Sequence, residues 1–202
     1  MKTILHLTSS IFGEQGVSSR LAEEFIARAP AARVIRRDLA SDPVPHLDAE
    51  RFAAFLARPE ARTPAQAAAV GYSDALIAEL KAADTIVLGL PMYNFGLPSQ
   101  LKAYFDHVAR AGVTFKYTEQ GAVGLLTGKR AYVFAARGGR YQDTPRDTQT
   151  AYVRDFLAFL GITQVGFVYA EGLAMGEAAK TQSLAAARDV LRGLVLPERI
   201  AA

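Results

Sequence analysis

Residues 85–90 constrain the fold more than any other stretch, because they form an almost continuously apolar segment that begins with β-branched residues. Such a segment is typical of a strand in a parallel sheet that is covered on both faces. Apolar residues then recur at helical spacing from Leu97 to Phe105, with Lys102 and Asp106 one turn apart. The stretch therefore predicts a buried strand, a loop and an amphipathic helix in that order.

The loop between this strand and this helix has an unusual composition for a surface connection. Pro91 begins it at the carboxyl end of the strand, which is where open α/β sheets bind their ligands. Met92, Tyr93 and Phe95 offer flat or polarizable apolar contacts, and Asn94 offers both an amide donor and an acceptor. This mixture predicts a site for a planar heteroaromatic ring and not for a sugar or a bare phosphate.

The amino-terminal segment predicts a second binding loop. Residues 2–7 form a short apolar strand, and a helical pattern begins at Val17 after a hydroxyl-rich loop. The segment has no G-x-G-x-x-G, and the chain has no Walker motif. A helix N-terminus nevertheless attracts a phosphate, and Ser10, Ser18 and Ser19 can add hydroxyl donors. Serines that only cap the helix are the alternative, but three of them around one turn favour a phosphate site.

The remaining segments alternate between strand and helix patterns. Further strands are predicted at residues 33–38, 131–136 and 163–170, and helices at residues 48–58, 64–83, 150–160 and 176–196. Residues 41–62 are longer than an ordinary connection, so they predict a surface excursion with a role in a lid or a subunit contact. Residues 111–130 contain four glycines between short β-prone pieces and predict a flap or hairpin.

Two further groups of residues are candidates for contact with a ligand. Arg137, Gly138 and Gly139 follow a predicted strand, and adjacent glycines let backbone N–H groups approach a flat ligand, although they also serve in ordinary turns. Phe115 and Tyr117 in the predicted hairpin either reach over a ligand or form one packed face. The residues alone leave these alternatives open.

The alternation of five strands with helices predicts a single domain over residues 1–202, of the α/β class. The predicted architecture is a flavodoxin-like, doubly wound, five-stranded parallel sheet of order 2-1-3-4-5, with helices on both faces. This order places strands 1 and 3 side by side, so the phosphate loop and the ring loop meet at one crevice. A ligand with a terminal phosphate and a flat polar ring fits this layout, and FMN is the economical candidate.

Composition excludes several other classes of protein. The 202-residue chain has 23 basic and 20 acidic residues, so its net charge is only +3, and its basic residues are dispersed; nucleic acid is not expected as a partner. The chain has no Cys, and its three His residues are scattered, so no metal site is expected. Since neither a signal peptide pattern nor an apolar run long enough for a bilayer occurs, the sequence predicts a soluble, cytoplasmic protein without a membrane partner.

Several segments together resemble the FMN-dependent NADH:azoreductases, which are also quinone reductases of flavodoxin-like fold. The resemblance covers nearly the whole chain, and the segments that carry it are TSSIFGEQGVSSRL, RDLASDPVPHLD, PMYNFGLPSQLKAYFDHVARAGVTFKYTEQGAVGLLTGK, ARGG, FLAFLGI and FVYAEG. It implies one FMN per subunit, NADH or NADPH as co-substrate, and reduction of quinones to hydroquinones and of azo compounds to amines. It further implies ping-pong hydride transfer through flavin N5 and a homodimer with its sites at the interface.

The resemblance also assigns residues to this site. It implies that Ser10, Gly16, Val17 and Ser18 hold the FMN phosphate, that Pro91, Met92, Tyr93, Asn94 and Phe95 line the flavin ring, and that Ala136, Arg137, Gly138 and Gly139 lie along its pyrimidine side. It places Tyr117 and Phe159 over the flavin, where nicotinamide and acceptor stack. No side chain is assigned as a catalytic acid or base, since the chemistry belongs to the cofactor.

Arg140 and Tyr141 depart from the family pattern, because some members carry other residues there, including a His. The group that stabilises the N1 and O2 edge of the flavin is therefore not assigned. An electron carrier of the flavodoxin type, without nicotinamide turnover, is an alternative function, but it requires a strongly acidic face that a net charge of +3 disfavours. A phosphoacceptor domain of the same fold would need acidic residues where Thr8, Ser9 and Pro91 stand.

Overall fold

The computed structural model describes residues 2–29 and 32–194, and the following account is confined to them. The strands are β1 (Thr3–Thr8), β2 (Arg33–Asp38), β3 (Thr85–Pro91), β4 (Phe115–Thr118), β5 (Gly121–Gly124), β6 (Arg130–Ala136) and β7 (Gln164–Ala170). The helices are α1 (Val17–Ile26), α2 (Ala49–Leu56), α3 (Pro64–Ala82), α4 (Ser99–Val108), α5 (Thr150–Phe159) and α6 (Glu177–Gly193). The last predicted helix, 176–196, includes positions 195 and 196, which lie outside the described residues.

Five strands form one parallel sheet in the order β2-β1-β3-β6-β7. The predicted order 2-1-3-4-5 is therefore wrong, because the last two strands of the sheet are the sixth and seventh strands of the chain. The reason is that β4 and β5 come between β3 and β6 and pair only with each other, as a separate antiparallel hairpin. The predicted parallel flavodoxin-like sheet and the predicted hairpin at residues 111–130 are both present.

The sheet is covered by helices on both faces, and its central strands are buried accordingly. All seven residues of β3 are buried, as the apolar run predicts. Leu88 packs in a cluster with side chains of α3, α4 and α5, whereas Val87, its neighbour in β3, packs with side chains of α1 and α6. Successive residues of β3 thus enter opposite layers of the core, because strand side chains alternate between the two faces of a sheet.

The long excursion before α3 is anchored to the core. His107 Nε2 lies 3.0 Å from the carbonyl oxygen of Pro45, and the carbonyl of His107 accepts a hydrogen bond of 2.6 Å from Ser73 Oγ. Burial lowers the pKa of His107. The excursion contains α2, which packs against α3, and α3 itself begins with a capping box between Thr63 and Gln66. A role of residues 41–62 in a lid or subunit contact stays a prediction.

The parallel register brings three loops to one edge of the sheet. Thr8 of β1 is opposite Gly89 of β3, and Pro91 of β3 is opposite Ala136 of β6. The loops that follow β1, β3 and β6 therefore leave the sheet side by side. Within the described ranges, no helix is both long and apolar enough to cross a membrane.

Candidate functional site

The loop after β1, residues 9–16, is folded tightly around buried serine side chains. Ser9 Oγ donates a hydrogen bond of 3.0 Å to the carbonyl of Gly89, which ties this loop to β3. Ser10 Oγ accepts a hydrogen bond of 3.2 Å from the N–H of Phe12. A Cβ atom at Gly16 would lie only 2.2 Å from Ser10 Oγ, so this close approach requires glycine.

The loop ends at the N-terminus of α1, where several polar groups lack partners. Gly16 is the N-cap and provides no side-chain cap, and the first intrahelical bond is donated by the N–H of Arg20 to the carbonyl of Gly16. The hydroxyls of Ser18 and Ser19 are buried, and neither has a hydrogen-bond partner among the described residues. Since an unpaired buried hydroxyl costs about 1–3 kcal/mol, this end of α1 is suited to an acceptor-rich group such as a phosphate.

The loop after β3 makes a tight turn with an uncommon backbone. Tyr93 and Gly96 exchange two backbone hydrogen bonds of 3.2 and 2.9 Å, and the two residues between them have positive φ, at 48° for Asn94 and 63° for Phe95. Two consecutive positive φ values define a type I′ turn. Asn adopts this conformation fairly readily, but for Phe it costs roughly 1–2 kcal/mol. Such strain in a non-glycine residue is typical of a functional site.

Two side chains from the segment before α5 hold this turn in place. Gln149 Nε2 donates to the carbonyl oxygens of Pro91 and Gly96, each at 3.0 Å. Thr148 Oγ1 donates to the carbonyl of Phe95. Sequence reasoning missed both residues, because neither lies in a recognisable motif and their partners are 53 or more residues away.

Tyr93 joins the first two loops. Its hydroxyl accepts a hydrogen bond of 3.1 Å from the N–H of Ile11 and lies 3.4 Å from Ser10 Oγ. The ring loop and the predicted phosphate loop are thus parts of one structure. The sequence predicts Tyr93 as an apolar wall of a ring site, but its polar end was not anticipated.

Arg137, at the start of the loop after β6, turns into the protein. Its fully buried side chain pairs with Asp147 at 2.7 Å and with Glu171 at 3.0 Å. Burial alone would raise the pKa of Asp147, but hydrogen bonds from Arg137 and Thr150 outweigh burial and lower it. The backbone of Arg137 is engaged as well, because its N–H donates to the carbonyl of Ala170 at 2.9 Å and its carbonyl accepts from the N–H of Leu173 at 3.2 Å. Arg137 therefore supports the loop from within the protein.

The two glycines after Arg137 present free backbone donors. The carbonyls of Gly138 and Gly139 accept hydrogen bonds of 3.0 and 2.9 Å from Ala174 and Gly172. Their own N–H groups donate to no group in residues 2–29 and 32–194. A Cβ atom at Gly139 would lie 2.5 Å from Tyr141 Oη, so a side chain at this position would displace Tyr141. This edge of the crevice can thus offer N–H donors to the rim of a flat ligand.

Tyr117 and Phe159 lie away from the three loops of their own chain. Phe159 ends α5, nine residues after Thr150, which places it about 14 Å farther along the helix axis. Its ring contacts that of Phe115 in a tilted arrangement, with centroids 4.2 Å apart and planes at 42°, and Tyr117 contacts Phe115 edge to face at 5.3 Å. Tyr117 is 75% exposed. One chain therefore brings these two aromatic residues together with each other, but not with the crevice.

The histidines lie outside the crevice loops. Burial lowers the pKa of His6, which is in β1, to about 4. His107 is in α4, and His46 is in the excursion before α2. The part of the chain that the structure describes contains no cluster of three or more residues that could hold a metal ion.

The fold and the three loops define an α/β protein of the flavodoxin type, with one ligand crevice at the carboxyl edge of its sheet. The model of the family described as having a flavodoxin-like fold matches residues 2–194. The chain belongs to this family.

The relatives define the family more narrowly. A protein of Cellvibrio japonicus, named FMN-dependent NADH:quinone oxidoreductase, is 56% identical over 192 residues, which cover 93% of this chain and 96% of the relative. A crystal structure of an azoreductase from Bacillus anthracis str. Sterne is 30% identical, has a TM-score of 0.85, and covers 96% of this chain and 100% of that one. An FMN-dependent NADH-azoreductase from Bacillus anthracis str. Ames Ancestor, solved in complex with FMN, is 26% identical, with a TM-score of 0.84 and coverage of 96% and 99%. The family resemblance predicted from the sequence is confirmed.

Proposed function

We propose that this protein is an FMN-dependent oxidoreductase that uses NADH or NADPH to reduce quinones to hydroquinones and aromatic azo compounds to amines. The observation that carries the proposal is the pair of unpartnered, buried hydroxyls of Ser18 and Ser19 at the N-terminus of α1, beside the strained turn at Asn94 and Phe95. One end of the crevice suits a phosphate and the other a flat polar ring. The names of the relatives support the same cofactor and reaction.

Different residues of the crevice bind different parts of the cofactor. Ser10, Gly16, Val17 and Ser18 hold the phosphate through hydroxyls, N–H groups and the helix dipole. Residues 91–95 line the ring, with Tyr93 spanning the distance between ring loop and phosphate loop. Residues 136–139 lie along the pyrimidine side of the ring, where the free N–H groups of Gly138 and Gly139 are the donors. These assignments follow the family pattern and the free donors of this chain.

When bound, FMN supplies the hydride-transfer chemistry, and the protein supplies binding and orientation. If Tyr93 and Phe95 cover one face of the bound flavin ring, nicotinamide and acceptor must use the other face in succession, which makes the kinetics ping-pong. No side chain of the crevice is assigned as an acid or base, because none of the three histidines lies in its loops. The protons of the product then come from water.

A homodimer would complete this site. In one chain, Phe159 lies about 14 Å along α5 from Thr150, while Thr150 bonds the guanidinium of Arg137. Tyr117 is exposed on the hairpin, whose Val123 is also exposed. We propose that the hairpin and the end of α5 pack against the crevice of a second copy, so that Tyr117 and Phe159 of each subunit cover the ring bound by the other.

Subunit complementation tests the shared site. We expect Tyr117→Ala and Asn94→Leu each to lower turnover in homodimers, but a heterodimer of the two variants would contain one site with intact loops and an intact Tyr117. We expect the purified heterodimer to be more active than the mean of the two variant homodimers. Activity equal to that mean, or a monomer in light scattering, would contradict the shared site.

The proposed activity is tested by the absorption spectrum of the purified protein, followed by consumption of NADH and NADPH with a simple benzoquinone. We expect a yellow protein whose nicotinamide consumption requires both FMN and the quinone. A protein that binds FMN but does not oxidise either nicotinamide would instead be an electron carrier. A protein without affinity for FMN would overturn the proposal as a whole.

A further inference from the structure

We propose that Gln149 is a positioning residue for the flavin ring, which locks the strained turn at Asn94 and Phe95 into its binding conformation before the cofactor arrives. The inference rests on the proposed binding of FMN. Gln149 does not touch the predicted ring face; it acts through the backbone of the ring loop. The sequence assigns it no role, and neither the family model nor the relatives' names describe one.

The side chain of Gln149 connects the two ends of the ring loop. Its side-chain amide nitrogen donates to the carbonyl of Pro91, at the end of β3, and to the carbonyl of Gly96, at the far end of the turn, each at 3.0 Å. One nitrogen thus bridges both ends of the ring loop. Gln149 has an exposed fraction of 0%, so water does not compete for these two bonds. The intervening residues are held between two fixed points.

The position uses only the donor half of the amide. Gln149 Oε1 is buried and has no hydrogen-bond partner among the described residues. The reverse orientation of the amide would set its oxygen against two carbonyl oxygens, so the hydrogen-bond network fixes the assignment of N and O. A side chain that only filled space would not need a donor here, and an apolar residue would avoid the unpaired oxygen.

Gln149 is itself held in place by the buried ion pair between Arg137 and Asp147, in the segment that follows β6. Asp147 accepts the backbone N–H of Gln149 at 3.3 Å and that of Thr150 at 3.0 Å, and the guanidinium of Arg137 holds Asp147 at 2.7 Å. Arg137 also adjoins the free N–H donors of Gly138 and Gly139. The same network therefore fixes the position of the loop on the pyrimidine side and, through Gln149, that of the ring loop. The two loops are thus held in a fixed position relative to each other before the cofactor binds.

The first test is Gln149→Met, which keeps the length of the side chain but removes both donors. FMN binding to the apoprotein is followed by flavin fluorescence, and hydrogen exchange reports on the N–H of Gly96, which bonds to Tyr93 in the turn. We expect the dissociation constant of FMN to rise about tenfold, as for two lost hydrogen bonds. The Gly96 amide should exchange faster in the apoprotein. The control is Gln182→Met, the same substitution at an exposed site in α6.

The second test, Gln149→Glu, separates positioning from general loss of structure. A protonated Glu can still donate one hydrogen bond, whereas its carboxylate would face two carbonyl oxygens. Burial raises the pKa of such a carboxyl group. The charged network beside position 149 contains Asp147, its partner Arg137 and Glu171, which also pairs with Arg137, so its net charge of −1 raises this pKa further. We expect the FMN affinity of this variant, relative to that of the wild type at the same pH, to fall reversibly as pH rises from about 5 to 8, while the same ratio for Gln149→Met stays constant. The ratio cancels the second ionisation of the FMN phosphate, which falls at about pH 6 in all three proteins.

The outcomes discriminate between the two proposals. If the wild type does not bind FMN, the proposed function fails and the role of Gln149 toward the flavin fails with it. If the wild type binds FMN but Gln149→Met binds it equally well with unchanged Gly96 exchange, only the positioning role is overturned. A ratio of Gln149→Glu affinity to wild-type affinity that does not change with pH would also overturn it.

Discussion

Gly16→Ala tests the link between the phosphate loop and FMN with a single methyl group. Gly16 has φ of −63° and ψ of 138°, an extended conformation that alanine adopts without strain. The new Cβ would, however, lie 2.2 Å from Ser10 Oγ and 2.6 Å from Ser10 Cβ. Because the Cβ of Ser10 is also too close, rotation of the hydroxyl does not relieve the clash, and the whole residue must move.

The expected magnitudes follow from this geometry. Overpacking of this kind costs about 1–3 kcal/mol of folding stability, which the reduced entropy of the unfolded chain offsets by about 0.4–1 kcal/mol. Displacement of Ser10 also removes its bond to the N–H of Phe12 and its contact with Tyr93. A lost hydrogen bond to a charged phosphate costs about 1.5–3 kcal/mol, so the dissociation constant of FMN should rise about 10- to 150-fold.

The assay compares FMN with riboflavin, which lacks the phosphate. Titration of the apoprotein should show a large loss of FMN affinity and a smaller loss of riboflavin affinity, alongside urea unfolding of each variant. The control is Gly71→Ala in α3, where nothing lies within 4 Å of the new Cβ; it should stabilise the protein slightly without affecting either flavin. Gly16→Ala with Ser10→Gly removes both clashing atoms, so it should regain stability but not FMN affinity.

The reasoning would be refuted if Gly16→Ala weakened FMN and riboflavin equally, since the loop would then not recognise the phosphate. It would also be refuted if the double variant regained full FMN affinity, because Ser10 would then be a steric neighbour and not a ligand.

Three further predictions concern the same crevice and the core beneath it. Ser10→Ala with Ser18→Ala should weaken FMN by roughly 1–3 kcal/mol in fluorescence titrations, and unchanged affinity would remove both residues from the site. Asn94→Leu should lower FMN affinity or shift the flavin potential, and because leucine adopts the φ of 48° less readily than asparagine, it should also cost about 1–2 kcal/mol of folding stability; a variant identical to wild type in affinity and potential would make Asn94 a turn residue only. Burial lowers the pKa of His6 to about 4, so the folded protein resists its protonation and the free energy of unfolding should fall by about 3 kcal/mol as pH falls from 6.5 to 4. In urea titrations His6→Gln should flatten this fall, and an equal fall in the variant would argue against buried His6 as its cause.

Much of the fold could be predicted from the sequence because local patterns encode it directly. The apolar run of β3, the capping box at Thr63 and the glycine-rich hairpin each carry a short-range signal. The predicted number of strands in the parallel sheet was right, but the stated order 2-1-3-4-5 was wrong, because the two hairpin strands lie between β3 and β6 along the chain and form a sheet of their own. Pairing between strands is a long-range property that local patterns do not contain.

The candidate site was predictable by position but less so by geometry. Residue types at strand ends indicate which loops meet, since parallel strands share one carboxyl edge. They do not show that Arg137 turns inward, that Asn94 and Phe95 share a type I′ turn, or that Gln149 spans 58 residues to reach Pro91. Each of these depends on tertiary contacts. The distance of Phe159 from the crevice likewise follows from the direction of α5, and the predicted roles of the site residues remain to be tested.

The central claim is that one bound flavin mediates two separate half-reactions, and anaerobic single-turnover spectroscopy tests it most directly. FMN-loaded protein is mixed with one equivalent of NADH, freed of nicotinamide by gel filtration, and then mixed with one equivalent of benzoquinone. We predict that NADH alone abolishes the visible flavin absorption band and that quinone alone restores it. An unchanged band after NADH, or a band that returns only while nicotinamide is present, would contradict the account.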